Sequence, residues 1–256
     1  MISLGYVILS ALICYSCKIE ETTKESRSYP VMQRAIEINL PVHSVLITPN
    51  TPGSKIPSHG TKKYGEMYAI DFVVINQKSL SKKPYKSSFI TYLVKGIQLS
   101  DFYGWGQSVY APIDGEVVKV VDGIEERNPV NVFSDLKNTI RVTREYEAGE
   151  ADSTSITGNC VIIKASESEY CLLAHLRKNS IRVRIGQKVN KDTIIGELGH
   201  SGNSTMPHLH MQFVDSIDFN HANGLPFTIK EYSVYVNKRW ISVSNQIPKN
   251  TEIIKW

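Results

Sequence analysis

Histidines carry most of the chemistry this sequence offers. There are seven: His43, His59, His175, His200, His208, His210 and His221. His208 and His210 flank Leu209 at the start of an apolar-alternating run, Leu209–Val214. On a strand, residues i and i+2 share one face, roughly 6–7 Å apart. One imidazole can then bind a metal ion while the other works on a bound water or a substrate. Two polar residues on an exposed strand face give the same pattern, so this pair alone decides nothing. His59 and Asp71 form a second constellation. Asp71 sits inside the otherwise apolar Tyr68–Val74, where a carboxylate is costly unless something compensates its charge. A metal cation, a Lys or Arg partner, or a turn to cap would each serve. His175 is the third, within Leu172–Leu176. It reads either as part of a site or as a core histidine bonded to a backbone carbonyl.

The elements that must hold these residues are short apolar-alternating runs separated by Gly, Pro, Asn and Asp. They include Tyr68–Ile75, Glu116–Val121, Asn138–Val142, Cys160–Lys164, Tyr170–Leu176, Lys188–Val189, Ile194–Leu198, Leu209–Val214, Tyr232–Val236 and Arg239–Val243. Such spacing predicts an all-β domain, an antiparallel sheet or barrel-like sandwich with an active-site groove formed by loops. No long helical periodicity stands out. Asp122–Gly158 reads as an insertion, with Glu145–Thr157 as a surface loop. Asn76–Gly106 reads as a second inserted loop. Cys160–Lys164 and Tyr170–His175 read as a β-hairpin turning near Glu167, with Cys160 opposite about Ala174 and Cys171 opposite about Ile163. That register separates the two sulfurs, and the expectation is two buried free thiols.

The whole chain has 256 residues, 41% hydrophobic and 21% charged, with a net charge of +4. That is an ordinary folding composition. The charge is too weak, and too unclustered, to imply nucleic-acid binding. Ile2–Cys17 carries no charged side chain and has the length of a signal-peptide core, although no Lys or Arg precedes it. Polar residues follow at once, from Lys18 to Arg27. The expected organisation is an export or lipoprotein signal over 1–17, a polar tether over 18–35, a main domain over 36–225 and a C-terminal extension of it over 226–256. Cys17 stands where a lipid-attachment cysteine would, so anchoring to a membrane through a lipidated Cys17 is one expected outcome and secretion the other. Either places the protein in the cell envelope or outside it.

The turn leading into His208 carries the most specific signal. Gly196 to Phe213 reads GxxGxSGxSTxPHLHxxF, and this run resembles the signature of lysostaphin-type (LytM-like) murein endopeptidases. So do Val109-Tyr110-Ala111-Pro112-Ile113-Asp114-Gly115-Glu116-Val117, Gly186-Gln187-Lys188-Val189 and Ala174-His175-Leu176. The likeness spans about Pro41 to Val214. It implies Zn²⁺ held by His59, Asp71 and His210, with His175 and His208 as the two non-ligand histidines beside it. It also implies hydrolysis of peptidoglycan peptides; the chain is expected to act as a monomer. Two departures stand out. Eleven residues separate His59 from Asp71, where the family's usual first motif has three, which leaves His43 as the fallback ligand. The long Asn76–Asp101 stretch is the other. No HExxH glutamate is present, which excludes a thermolysin-like scheme. Two rivals remain at this level. One is an inactive relative that binds or regulates wall hydrolases. The other is a biotinyl- or lipoyl-type carrier, suggested by the Gly-x-x-Val and Gly-Glu-Val elements.

Overall fold

A computed structural model describes residues 35–256. The export segment, Cys14, Cys17 and nearly all of the polar tether lie outside the described residues. Among those residues, no helix is long and apolar enough to cross a membrane.

The described chain is mostly β. One large sheet runs in the order β1 (Ile36–Ile38), β11 (Phe227–Val236), β13 (Ile254–Lys255), β2 (Val45–Ile47), β3 (Ile70–Val74), β10 (Leu209–Val214), β7 (Glu169–Leu176), β6 (Asn159–Ser166), β5 (Gly115–Val121) and β8 (Lys188–Val189). Strand β12 (Arg239–Gln246) pairs with β11, while β4 (Ser108–Tyr110) and β9 (Ile194–Glu197) pair apart from the large sheet. All pairings are antiparallel except that of β1 with β11. The sheet is therefore mixed and open, and the barrel-like closure expected from the sequence is absent.

Period-two alternation fixes the two faces. Ile70, Phe72 and Val74 of β3, Leu209, Met211 and Phe213 of β10, and Cys171 and Leu173 of β7 enter the main core. The intervening residues of β3 and β10, Asp71, His210 and Gln212 among them, face the other way. Leu172 and Ala174 join a smaller cluster there with Val214, Phe219 and Ala222. The hairpin register holds: Cys171 lies opposite Ile163, Cys160 and Cys171 sit in different clusters, and both are free thiols.

The main correction to the sequence reading concerns the insertions. The 76–106 segment holds a short helix, α1 (Phe89–Val94), and a 3₁₀ turn at Leu99–Asp101. Val132–Glu147 is a 16-residue helix, α2, and Ser153–Thr157 a short one, α3. Asn138–Val142, read as a strand, is the middle of α2. Asn131 caps it by accepting hydrogen bonds from the N–H groups of Phe133 and Ser134. The helix was hidden because it buries only Asp135 and Val142 and so lacks the broad apolar stripe that marks most helices.

Phe213 is fully buried, and its ring centroid lies 5.6 Å from that of Phe227. It links the strands of the site to the C-terminal strands. Phe213→Ala is expected to destabilise the fold by about 3–5 kcal/mol, the cost typical of emptying such a core position, as measured by denaturant unfolding.

Candidate metal centre

Strand β10 lies between β3 and β7, so its outward residues meet neighbours from both. His210 is directly opposite Asp71 on one side and Ala174 on the other. Cross-strand partners of one face stand within side-chain reach. The result is a cluster in which His59, Asp71 and His210 each offer one donor atom, all within 4.8 Å of one another. His59 arrives from the loop before β3: its Nε2 is 3.1 Å from Asp71 Oδ2, and His210 Nδ1 is 3.0 Å from Asp71 Oδ1.

The remaining nitrogens are already committed. Gln212 Nε2 donates to the Tyr64 carbonyl at 2.8 Å, which turns its Oε1 toward His210 Nε2 at 3.0 Å. An oxygen can only accept there, so a neutral His210 carries its proton on Nε2 and shows a bare Nδ1 to Asp71. Ser58 Oγ donates to the Glu66 carbonyl and therefore accepts from Nδ1 of His59 at 3.0 Å, leaving Nε2 bare. Two imidazole lone pairs thus converge on one carboxylate. Neutral rings in these tautomers would repel it, and a cation between the three donors removes the conflict. Two neutral nitrogens and one carboxylate, with their outer atoms hydrogen-bonded, form a donor set suited to a zinc-like divalent ion. Asn50 Nδ2 donates to Asp71 Oδ2 at 2.7 Å and completes the carboxylate's support.

His175 and His208 border the same space. Their ring centroids are 4.7 Å apart, and His208 Nε2 lies 3.6 Å from Asp71 Oδ1. His175 Nδ1 donates to the Ser201 carbonyl at 2.9 Å and His208 Nδ1 to the Met206 carbonyl at 2.7 Å, so each presents Nε2 inward. Simple alternation would put His175 on the core face, one step after Ala174. Its backbone is left-handed (φ 61), and β7 carries an extra residue between the pairs Asn159↔Leu176 and Val161↔Leu173. This β-bulge turns His175 toward the cluster and returns Leu176 to the core. His43, the fallback ligand, does not join the cluster. It stacks between Tyr110 and Trp256, with centroids 4.0 and 4.3 Å away.

Sequence reasoning missed Ser58, Asn50 and Gln212. Only Gln212 left a signal: it continues the His208–His210 alternation on the same strand face. The Gly-rich turn before β10 behaves as expected. A Cβ on Gly199 would fall 2.4 Å from Arg177 N, and one on Gly202, whose φ is +67, would fall 2.3 Å from Gly158 N. Helix α2 spans from this turn to the His59 loop. Asn203 Nδ2 donates to Thr143 Oγ1 at 3.1 Å, Tyr146 meets Tyr64 edge-on at 5.0 Å, and Glu147 pairs with Lys63 at 2.9 Å.

Residues 141–222 match the profile of peptidase family M23. The matched segment contains His175, His208 and His210, whereas His59 and Asp71 precede it. Among solved structures, the chain is similar to the catalytic domain of lysostaphin from Staphylococcus simulans, at 18% identity, covering 71% of this chain and 88% of that one with a TM-score of 0.34. It is also similar to a zinc-containing peptidase from Vibrio cholerae, at 19% identity and a TM-score of 0.35. That likeness covers 75% of this chain but only 39% of the Vibrio protein. No protein of curated function matches the chain.

Titration follows from this packing. Burial pushes Asp71 up, but the charges of His59 and His208 and the hydrogen bonds from His210 and His59 outweigh it and hold its carboxyl well below the usual range. Burial pulls His210 down, but the hydrogen bond and charge of Asp71 push it up to about 9. Burial, reinforced by neighbouring histidines, takes His175 well below 6.5 and also lowers His208. For the metal-free protein the signs are as follows. The raised His210 contributes stability that is full below pH 6.5 and lost as pH climbs through about 9. The lowered His175 and His208 contribute stability that is lost as pH falls below 6.5. Urea unfolding in the presence of a chelator should therefore show maximal stability near pH 6.5, declining on both sides. A monotonic rise up to pH 9 would contradict the Asp71–His210 pairing.

Proposed function

We propose that the chain is a zinc-dependent endopeptidase that hydrolyses peptide bonds of bacterial peptidoglycan. One observation carries the reading: bare nitrogens of His59 and His210 converge on the buried Asp71 carboxylate, with every outer atom already hydrogen-bonded. His59, Asp71 and His210 would hold the ion. Zinc in such a site supplies Lewis acidity, lowering the pKa of a bound water to near 7 and polarising a carbonyl.

The chain's own residues do the rest. His208 and His175 have their Nδ1 protons tied to backbone carbonyls, so each offers Nε2 for proton transfer. The lowered proton affinity of both rings keeps them neutral near pH 7, ready to take a proton from the attacking water and return it to the leaving amine. Once protonated, the same nitrogens stabilise the oxyanion of the tetrahedral intermediate. The Gly199–Thr205 turn forms one wall of the approach, where backbone N–H and C=O groups can meet an extended peptide. The match of residues 141–222 to peptidase family M23 supports the peptide substrate. The apolar N-terminal run followed by a charged tether supports export to the envelope, with Cys17 as the proposed anchor.

Elemental analysis of purified protein should find one zinc per chain. His59→Ala and His210→Ala should lose it, and His43→Ala should keep it. His175→Ala and His208→Ala should retain zinc yet lose roughly 10²-fold or more in hydrolysis. Digestion of purified peptidoglycan, with the released peptides identified by mass, tests the substrate. Wild-type turnover in either histidine variant removes that residue from the mechanism. Zinc without release of any peptide favours a wall-binding regulator instead.

A further inference from the structure

Helix α2 carries Asp135 in its first turn with only 1% of the residue exposed. A carboxylate so placed needs partners. Its Oδ2 accepts from the Asn131 backbone N–H at 2.7 Å, and its Oδ1 accepts from Arg127 Nε at 2.6 Å. The same Oδ1 lies 3.3 Å from Nε2 of His200, a histidine with no exposed surface, and Arg127 Nη2 stands 3.4 Å from that nitrogen, so the ion pair as a whole abuts the ring. On its other side, His200 Nδ1 is 2.9 Å from Ser204 Oγ. The Ser204 proton goes to the Met206 carbonyl at 2.7 Å, so Oγ accepts from His200 Nδ1–H. That Met206 carbonyl is the acceptor for His208 Nδ1–H, and Ser204 Oγ itself stands 3.2 Å from the same nitrogen. Arg127 also donates to the carbonyls of Gly202, at 2.8 Å, and Ser204. The turn that precedes His208 is therefore tied, at Gly202 and Ser204, to an ion pair whose carboxylate is buried.

We propose that Asp135 and His200 are positioning residues for His208. By fixing Ser204 and, through it, the Met206 carbonyl, they hold the His208 ring in the Nδ1–H tautomer and in the orientation that presents a bare Nε2 toward Asp71. The proposal rests on the acid–base role given to His208 above. A simple staple for the turn would not need this chemistry, since a buried ion pair often adds no net stability over apolar packing of the same volume. What the polar chain provides is direction. Ser204 gives its proton to the Met206 carbonyl and so takes that of His200 Nδ1, and the same carbonyl takes the proton of His208 Nδ1. Helix α2, which the sequence hid, is thereby connected to the reacting nitrogen.

The test uses Ser204→Ala, His200→Asn and Asp135→Asn in the full chain, with ¹⁵N spectra of the histidine rings recorded with and without zinc. His208 is assigned by its absence in His208→Ala. In wild type, the two His208 nitrogens should show the well-separated shifts of a single tautomer. In each variant those shifts should move toward each other, zinc content should stay at one per chain, and kcat on peptidoglycan peptides should fall about tenfold with KM unchanged. Asp135→Asn combined with Ser204→Ala should lose no more than the worse single variant, as expected of members of one chain. Unchanged His208 shifts in Ser204→Ala and His200→Asn would overturn the proposal, even if thermal stability dropped, because the network would then be structural only. If Asp135→Asn fails to fold, those two variants still decide. If wild type cleaves no wall peptide, the functional reading fails, but the His208 shifts still test the positioning chain.

Discussion

Asp71 is a carboxylate in the middle of a sheet, flanked by Ile70 and Phe72, with 5% of the residue exposed. Leaving such a charge uncompensated in a protein interior costs on the order of several kcal/mol even after relaxation. The described residues place no Lys or Arg against it. They place histidine nitrogens there instead, with lone pairs aimed inward. Much of the surrounding structure can be understood as the consequence: Gln212 and Ser58 fix tautomers, Asn50 supports the carboxylate, and the central strand sets the spacing. The arrangement is satisfied by a cation, and the metal-free chain can supply only a proton.

The sheet turns that local requirement into a site. Because β10 is paired on both sides, its inward residues cement the core while His208, His210 and Gln212 occupy one outward face. The β7 bulge then adds His175, at the expense of an unusual left-handed backbone in a buried strand. Such strain persists only where its surroundings over-determine it. Here the Ser201 carbonyl, delivered by the Gly-rich turn, holds the ring. Helix α2 ties that turn to the His59 loop, so both walls share one brace.

Much of this was legible in the sequence. Period-two alternation identified β3, β10 and the β6–β7 hairpin, including the register that separates Cys160 from Cys171. The carboxylate within an apolar run marked Asp71 as a group in need of compensation, and the family resemblance made it a candidate ligand. Two features were not legible. Alternation alone would place His175 on the wrong face, because a single residue at φ 61 reverses the count and no side-chain type announces it. Helix α2 was hidden because its buried face rests on Asp135 and hydrogen bonds, not on apolar periodicity. Its start signals, Asn131 as cap and Asp135 four residues on, were masked by β-favouring Val, Thr and Ile. Ser58 and Asn50 carry no pattern at all, since their importance arises only when loops distant in sequence meet.

The most direct measurement is calorimetric titration of zinc into the metal-free protein between pH 6.5 and about 9, repeated in buffers of different ionisation enthalpy. In that window His210 shares a proton with Asp71, and a metal ion must displace it. The account predicts saturation at one zinc per chain with release of a proton from this pair, and loss of both signals in Asp71→Asn. Unaltered binding in Asp71→Asn, or no saturable binding in wild type, would contradict it.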